Sequence, residues 1–180
     1  MRSTRGSSSP FTSSPSKTLS SSLSLKGRAL AYLSRREHTR QELCRKLKEH
    51  AESAEVLTQL CDELEQAGWL SNARYAEARV RSRASRYGAA RLRQELLQAG
   101  VTAVDMEPVL APLIDTELQR AQHVWARKFQ ALPDSLAERG RQARYLLMRG
   151  FSHPIIRQVL KNDLAGVDDM AEIDHEAADD

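Results

Sequence analysis

A six-residue phrase occurs twice in this chain, fifty positions apart: Leu96-Leu97-Gln98-Ala99-Gly100-Val101 and Leu146-Leu147-Met148-Arg149-Gly150-Phe151. In each, leucines stand at the end of an amphipathic helical pattern, and the glycine is the residue best suited to close a helix. The register continues without a gap, so that Met106, Val109 and Leu110 map onto Ile156, Val159 and Leu160. Leu43 and Leu47 match Leu92 and Leu96 in the same way, although this earlier unit has Ala51 where the other two have glycine. A short helical unit that recurs and cannot bury its own apolar face has to stack on its neighbours. The expected fold is therefore all-α, a tandem array of three three-helix repeats forming an elongated, curved body.

The periodicity sets the boundaries. Residues 1–24 are rich in Ser, Thr and Pro and have no helical period, so they are expected to be a disordered extension. They lack the apolar run of a secretory signal, and a flexible extension is a more economical reading than an organelle transit peptide. Repeat 1 is assigned to 25–70, repeat 2 to 71–113 and repeat 3 to 114–161, with an acidic disordered tail at 162–180. In repeat 1, Leu30 and Leu33 mark a first helix. Thr39 and Glu42 form a capping box for the second, and Val56, Leu57, Leu60 and Leu64 are the inner stripe of the third. Repeat 2 is predicted to hold a helix from about Asn72 to Tyr87, a helix closed by Gly100, and a third in which Pro108 falls in the first turn if Asp105 is the cap. Repeat 3 is predicted to hold one long helix through Leu118, Ala121, Trp125 and Phe129, another over Arg139 to Arg149, and a last one capped by Ser152.

A core of this kind is thin. Aromatic residues make up 5% of the chain and mean hydropathy is -0.54, which suits long amphipathic helices better than a sandwich or barrel. No apolar run approaches the ~18–20 residues of a membrane span, so a soluble protein is expected. Cys44 and Cys61 are not in CxxC spacing and read as buried thiols. Phosphate-loop, nucleophile-elbow, zincin and dinucleotide fingerprints are all missing, and the five histidines are scattered, with surface or capping roles expected. No enzyme and no cofactor is implied.

Charge is the informative property. The net charge of +3 combines plus three on residues 1–24, plus eight on the body, 25–161, and eight acids with no Lys or Arg after Lys161. Arg74, Arg79, Arg81, Arg83, Arg86, Arg91 and Arg93 crowd one segment, with Glu77 the only acid before Glu95, and Arg144 and Arg149 follow in repeat 3. Arg79, Arg83 and Arg86 are predicted to form an i, i+4, i+7 row beside the apolar stripe. Arginine at this density suits carboxylate or phosphate partners, although a charge run is ordinarily a solvated face. Glu42, Glu63 and Glu95 are expected to pair within their own helices. Trp69 is expected to pack as a staple between repeats 1 and 2, with base stacking as the alternative.

The run Gly68-Trp69-Leu70-Ser71-Asn72-Ala73-Arg74-Tyr75-Ala76, the segment Arg91-Leu92-Arg93-Gln94-Glu95-Leu96 with Gly100-Val101, and Arg149-Gly150-Phe151-Ser152 with Ile155-Ile156 resemble the RecX family. The likeness covers about 26–161. Ser71-Asn72 stands where an acidic pair is common, and Lys48-Glu49-His50-Ala51 where a Lys-Gly ending is common. The resemblance implies a cytoplasmic regulator that lies in the groove of the RecA–DNA filament. It implies inhibition of ATPase, strand exchange and coprotease activity, and so modulation of DNA repair and the SOS response. Arg74, Arg79, Arg81, Arg83, Arg86, Arg91, Arg93, Arg144 and Arg149 are then the expected partner-binding residues, with weak single- or double-stranded DNA contact as a further expectation. A general DNA-binding helical-repeat protein using the same arginines, and a helical adaptor whose charge is incidental, are the alternatives.

Overall fold

The computed structural model describes residues 23–161, and the bulk of the Ser-rich start and the whole acidic tail lie outside them. Among the described residues there are nine α-helices and no strand: α1 (Leu25–Leu33), α2 (Arg40–Leu47), α3 (Ala54–Gln66), α4 (Asn72–Arg83), α5 (Ala89–Gln98), α6 (Ala103–Leu110), α7 (Glu117–Ala126), α8 (Leu136–Leu147) and α9 (His153–Val159). Short polar caps start most of them. The side chains of Ser24, Thr39, Ser53, Ser71 and Ser135 each accept the backbone N–H three residues on, satisfying a donor that would otherwise be orphaned. Ser24 therefore belongs to the folded body, not to the extension before it.

Three glycines end helices in the left-handed region: Gly68, Gly100 and Gly150 have φ of 72°, 80° and 82°. Each completes a Schellman closure, in which the N–H of Trp69, Val101 or Phe151 donates to the carbonyl of Leu64, Leu96 or Leu146. The recurring sequence phrase is this motif, and Val101 and Phe151 are both buried against the leucine whose carbonyl they cap. After α2 no glycine is available, and the chain leaves through a 3-10 turn at Lys48–His50.

The core is three serial clusters. Ala29, Leu43, Leu47, Leu60, Cys61, Leu64 and Leu70 hold α1–α3. Ala76, Val80, Leu92, Leu96, Val101, Met106 and Leu110 hold α4–α6, and Ala121, Val124, Leu146, Phe151, Ile156, Val159 and Leu160 hold α7–α9. Repeat 3 adds a polar pin: buried Gln142 accepts from Trp125 Nε1 at 2.7 Å and donates to the Ala131 carbonyl at 3.3 Å. The Cys44 and Cys61 sulfurs are 2.9 Å apart between α2 and α3, and burial pushes the Cys61 thiol up to about 12. Cys44 is only half-buried.

Several expectations need correction. α4 stops at Arg83, so Arg86 lies in the following turn and the predicted row of three arginines loses its last member. α6 is capped at Thr102, which puts Pro108 inside the helix instead of in its first turn. Directly after α6 the chain passes into a 3-10 turn at Ala111–Leu113, which holds Pro112. α7 ends at Ala126, short of Phe129, and α8 begins at Leu136, ahead of Arg139. Val56 is 41% exposed while Cys61 takes a place on the inner stripe. His38, expected near the surface, is buried against Tyr32 with Nδ1 2.9 Å from the Arg36 carbonyl. Trp69 is 60% exposed and Leu70 fills the space beneath it, so the predicted tryptophan staple does not form.

Glycines mark both joints between repeats, and the second joint is a contact of main chain with main chain. At the joint between repeats 2 and 3, the Gly88 N–H, at the start of α5, donates to the Arg149 carbonyl at 2.8 Å. A Cβ on Gly88 would lie 2.0 Å from the Gly150 oxygen, and one on Gly150 would lie 2.4 Å from the Arg91 nitrogen. At the joint between repeats 1 and 2, a Cβ on Gly100 would lie 2.6 Å from Gln41 Oε1, at the start of α2. Gly68 has open space around it. Gly68→Ala is therefore expected to cost only the left-handed penalty, ~1 kcal/mol, whereas Gly88→Ala, although its own φ is ordinary, should cost more than Gly68→Ala by separating two repeats. Urea unfolding followed by circular dichroism checks the order of the two.

Candidate functional site

The arginines of the basic segment fall into three groups. Two hold other parts of the chain. Arg74 Nε donates to Glu37 at 2.9 Å, tying α4 back to repeat 1, and the Arg93 guanidinium is paired with Glu107 of α6. Both carboxylates lie on other elements, so no intrahelical spacing signals these bonds.

The second group converges on one acid. Arg79 Nη2 is 3.1 Å and Arg83 Nη2 2.9 Å from the Glu95 carboxylate, and Arg91 Nε is 3.6 Å away. Glu95 is only 13% exposed at its side chain. It clamps α4 to α5, in addition to the i, i+4 pairing with Arg91 that spacing alone predicts. Tyr87 forms the floor of the same cluster. The guanidinium carbons of Arg83, Arg91 and Arg149 lie 4.5, 5.9 and 5.8 Å from its ring centre, and Arg149 lies 4.5 Å from the Tyr145 ring. Stacking on aromatic faces orients these guanidinium groups without neutralising them. Arg79, Arg83 and Arg91 share one carboxylate, Arg149 has none, and the Nε atoms of Arg83 and Arg149 are buried with no hydrogen-bond partner. The cluster spans the joint between repeats 2 and 3 and carries a surplus of about three positive charges.

Arg81, Arg86 and Arg144 form the third group: all three are exposed, with no side-chain acceptor or ion-pair partner among the described residues.

Sequence reasoning missed Arg120 of α7. It donates to the carbonyls of Ala84 at 3.0 Å, Tyr87 at 2.8 Å and Leu113 at 2.8 Å, closing the open end of α4 from the next repeat. Burial lowers its pKa from the ordinary value, though a guanidinium in a protein stays cationic. Such a staple carries no sequence signal, because its acceptors are main-chain atoms. Between repeats 1 and 2 lies a groove of about 590 Å³ walled by Arg36, Glu42, Arg45, Tyr75 and Arg79. Thr39 caps α2 as expected, but Glu42 closes no reciprocal box: its carboxylate goes to Arg36, with Nη1 at 3.0 Å. Among the described residues no cluster of three His, Cys, Asp or Glu side chains could hold a metal ion, and no helix is long and apolar enough to cross a membrane.

Stacked helical triplets, joined through glycines and presenting an arginine cluster at a joint, define a helical-repeat protein. Sequence models for the first, second and third RecX three-helix domains match residues 26–64, 71–110 and 115–160. The chain belongs to the RecX family. It is 49% identical to the regulatory protein RecX of Ralstonia pickettii over 150 residues, 83% of this chain and 92% of that protein. It is also 49% identical to the regulatory protein RecX of Leptothrix cholodnii over 139 residues, 77% and 88% of the two chains. The crystal structure of RecX from Lactobacillus salivarius shares the fold, with a TM-score of 0.61 at 22% identity over 76% of this chain and 92% of that one.

Two outcomes follow for the pairs inside this surface. Glu95→Gln should destabilise the protein by about 1 kcal/mol at low salt, and by less at 1 M salt where the Debye length is ~3 Å; paired denaturation curves at the two salt concentrations test this. The Arg36 guanidinium holds the Glu42 carboxyl below its ordinary value of 4.5. The stabilisation from that pair is then present above pH 4.5 and lost as pH falls through the lower folded value. The stability gap between wild type and Glu42→Gln should narrow on acidification, as read by thermal midpoints between pH 7 and pH 3.

Proposed function

We propose that this protein is a non-enzymatic, cytoplasmic regulator of the RecA recombinase. In this reading it binds along the RecA–DNA filament as a monomer and lowers ATPase, strand-exchange and coprotease activity, and with them DNA repair and SOS signalling. The observation that carries the reading is the surplus cationic cluster at the joint between repeats 2 and 3, in a chain whose curated relatives are regulatory proteins. Repeats in series offer a polymer several weak contacts at once, and each contact after the first forms at an elevated effective concentration. Occupancy of that kind obstructs movement between protomers and needs no chemistry.

The division of arginines narrows the contact set. Arg81, Arg86, Arg91, Arg144 and Arg149 are the cations with charge to spare and are proposed to face the filament, on its acidic protein surface or on phosphate. Arg79 and Arg83 share Glu95 and present the cluster. Arg74 and Arg93, already paired, are proposed to hold the repeats in position. The exposed Trp69 favours some direct contact with unstacked bases, so weak DNA binding accompanies this reading.

In a RecA ATPase assay on single-stranded DNA, the wild-type protein should inhibit in proportion to its concentration. Arg86→Glu with Arg149→Glu should raise the half-inhibiting concentration at least tenfold while helix content by circular dichroism stays constant. Arg74→Gln should change it less than threefold. Equal inhibition by the double variant removes the joint from the interface, and an inert wild-type protein removes the function.

A further inference from the structure

The cluster at the joint between repeats 2 and 3 has more cation than the described chain neutralises. Arg83, Arg91 and Arg149 surround Tyr87, Arg79 joins them at Glu95, and that one carboxylate serves all but Arg149. Like charges held this close repel each other unless an anion lies among them. The Nε–H groups of Arg83 and Arg149 are buried without acceptors, a state that costs free energy. The anion already chosen inside the cluster is a carboxylate, held between two guanidinium groups.

The chain carries a second set of carboxylates of matching charge. Residues 162–180 hold eight Asp and Glu and no Lys or Arg, against plus eight on 25–161. They begin immediately after Lys161, at the end of repeat 3, the repeat that supplies Arg149. Only α9, about 10 Å long, separates that starting point from Arg149. Nineteen residues span up to ~60 Å when extended, far more than is needed to reach across one joint. A tethered segment of this length sees its site at an effective concentration on the order of millimolar. A contact of only millimolar intrinsic affinity would then be occupied about half of the time.

We propose that the acidic segment 162–180 docks in its own chain on the Arg83–Arg91–Arg149 cluster around Tyr87, competing with any external polyanion for that surface. The inference rests on the cluster being the partner surface of the preceding section, and it adds regulation of that surface. Partners that outbid the segment are polyanions with many phosphates or carboxylates in series, while isolated weak anions are turned away. Because the competition is electrostatic, added salt weakens it.

The test compares the full-length protein with a full-length variant in which all eight carboxylates after Lys161 are replaced by their amides. Neither chain alters the described core. The side-chain Nε–H resonances of Arg83 and Arg149 should differ between the two at 50 mM salt and coincide at 500 mM. A synthetic peptide of residues 162–180 added to the amide variant should move them back toward the wild-type positions. By fluorescence anisotropy with a labelled thirty-residue oligothymidylate, the amide variant should bind three- to tenfold more tightly at low salt. That advantage should fall below twofold when both proteins also carry Arg91→Gln and Arg149→Gln. Identical arginine resonances at low salt, or an advantage that survives loss of the two arginines, overturns the proposal. If the resonances move but neither protein inhibits RecA, the filament reading fails and the docking of the segment stands.

Discussion

Everything in this molecule hangs from a contact between main chains: the first turn of one middle helix resting on the glycine that closes the middle helix of the next repeat. Gly88 and Gly150 approach so closely that neither has room for a methyl group, and the Gly88 N–H is spent on the Arg149 carbonyl. One repeat earlier Gly100 lies instead against the side chain of Gln41. Glycine is tolerated here because the left-handed closure needs it in any case, so one residue serves both the helix end and the joint. The three apolar clusters then remain separate, each filled by its own repeat.

The polar network follows from that arrangement. Bringing the start of α5 against the turn after α8 sets Tyr87 beside Arg149 as well as Arg91, and Arg120 of α7 reaches the carbonyls after α4. A joint made of backbone leaves side chains free to collect at its rim, and here they are mainly arginines. Glu95 lets three of them coexist on two helices. The distribution separates cations that maintain the array from cations with charge left over, a division that composition conceals.

Much of the fold is legible in the sequence because it is local. Period, caps and the glycine closures are set by residues within one turn of each other, and Leu96, Val101, Leu146 and Phe151 lie where the repeated phrase puts them. What escapes is whatever depends on a neighbour distant in sequence. Pro108 lies inside α6, and a 3-10 turn follows the helix directly. Trp69 lies at the surface while its neighbour Leu70 takes the buried place. The Glu95 clamp, the Arg74–Glu37 tie and the Arg120 staple join residues that no helical spacing connects. The basic segment was visible as a composition, but its partition into paired and surplus arginines required the packing of α4 on α5 and of repeat 2 on repeat 3.

The glycine joints have a consequence for how such a chain can change. When spacing between units is set by the closest approach of two peptide planes, it does not depend on which surface residues each unit carries. The array then behaves as a ruler with fixed graduations. Exposed positions can be exchanged freely while the interval between successive repeats stays the same, and an added unit lengthens the scale without recalibrating it.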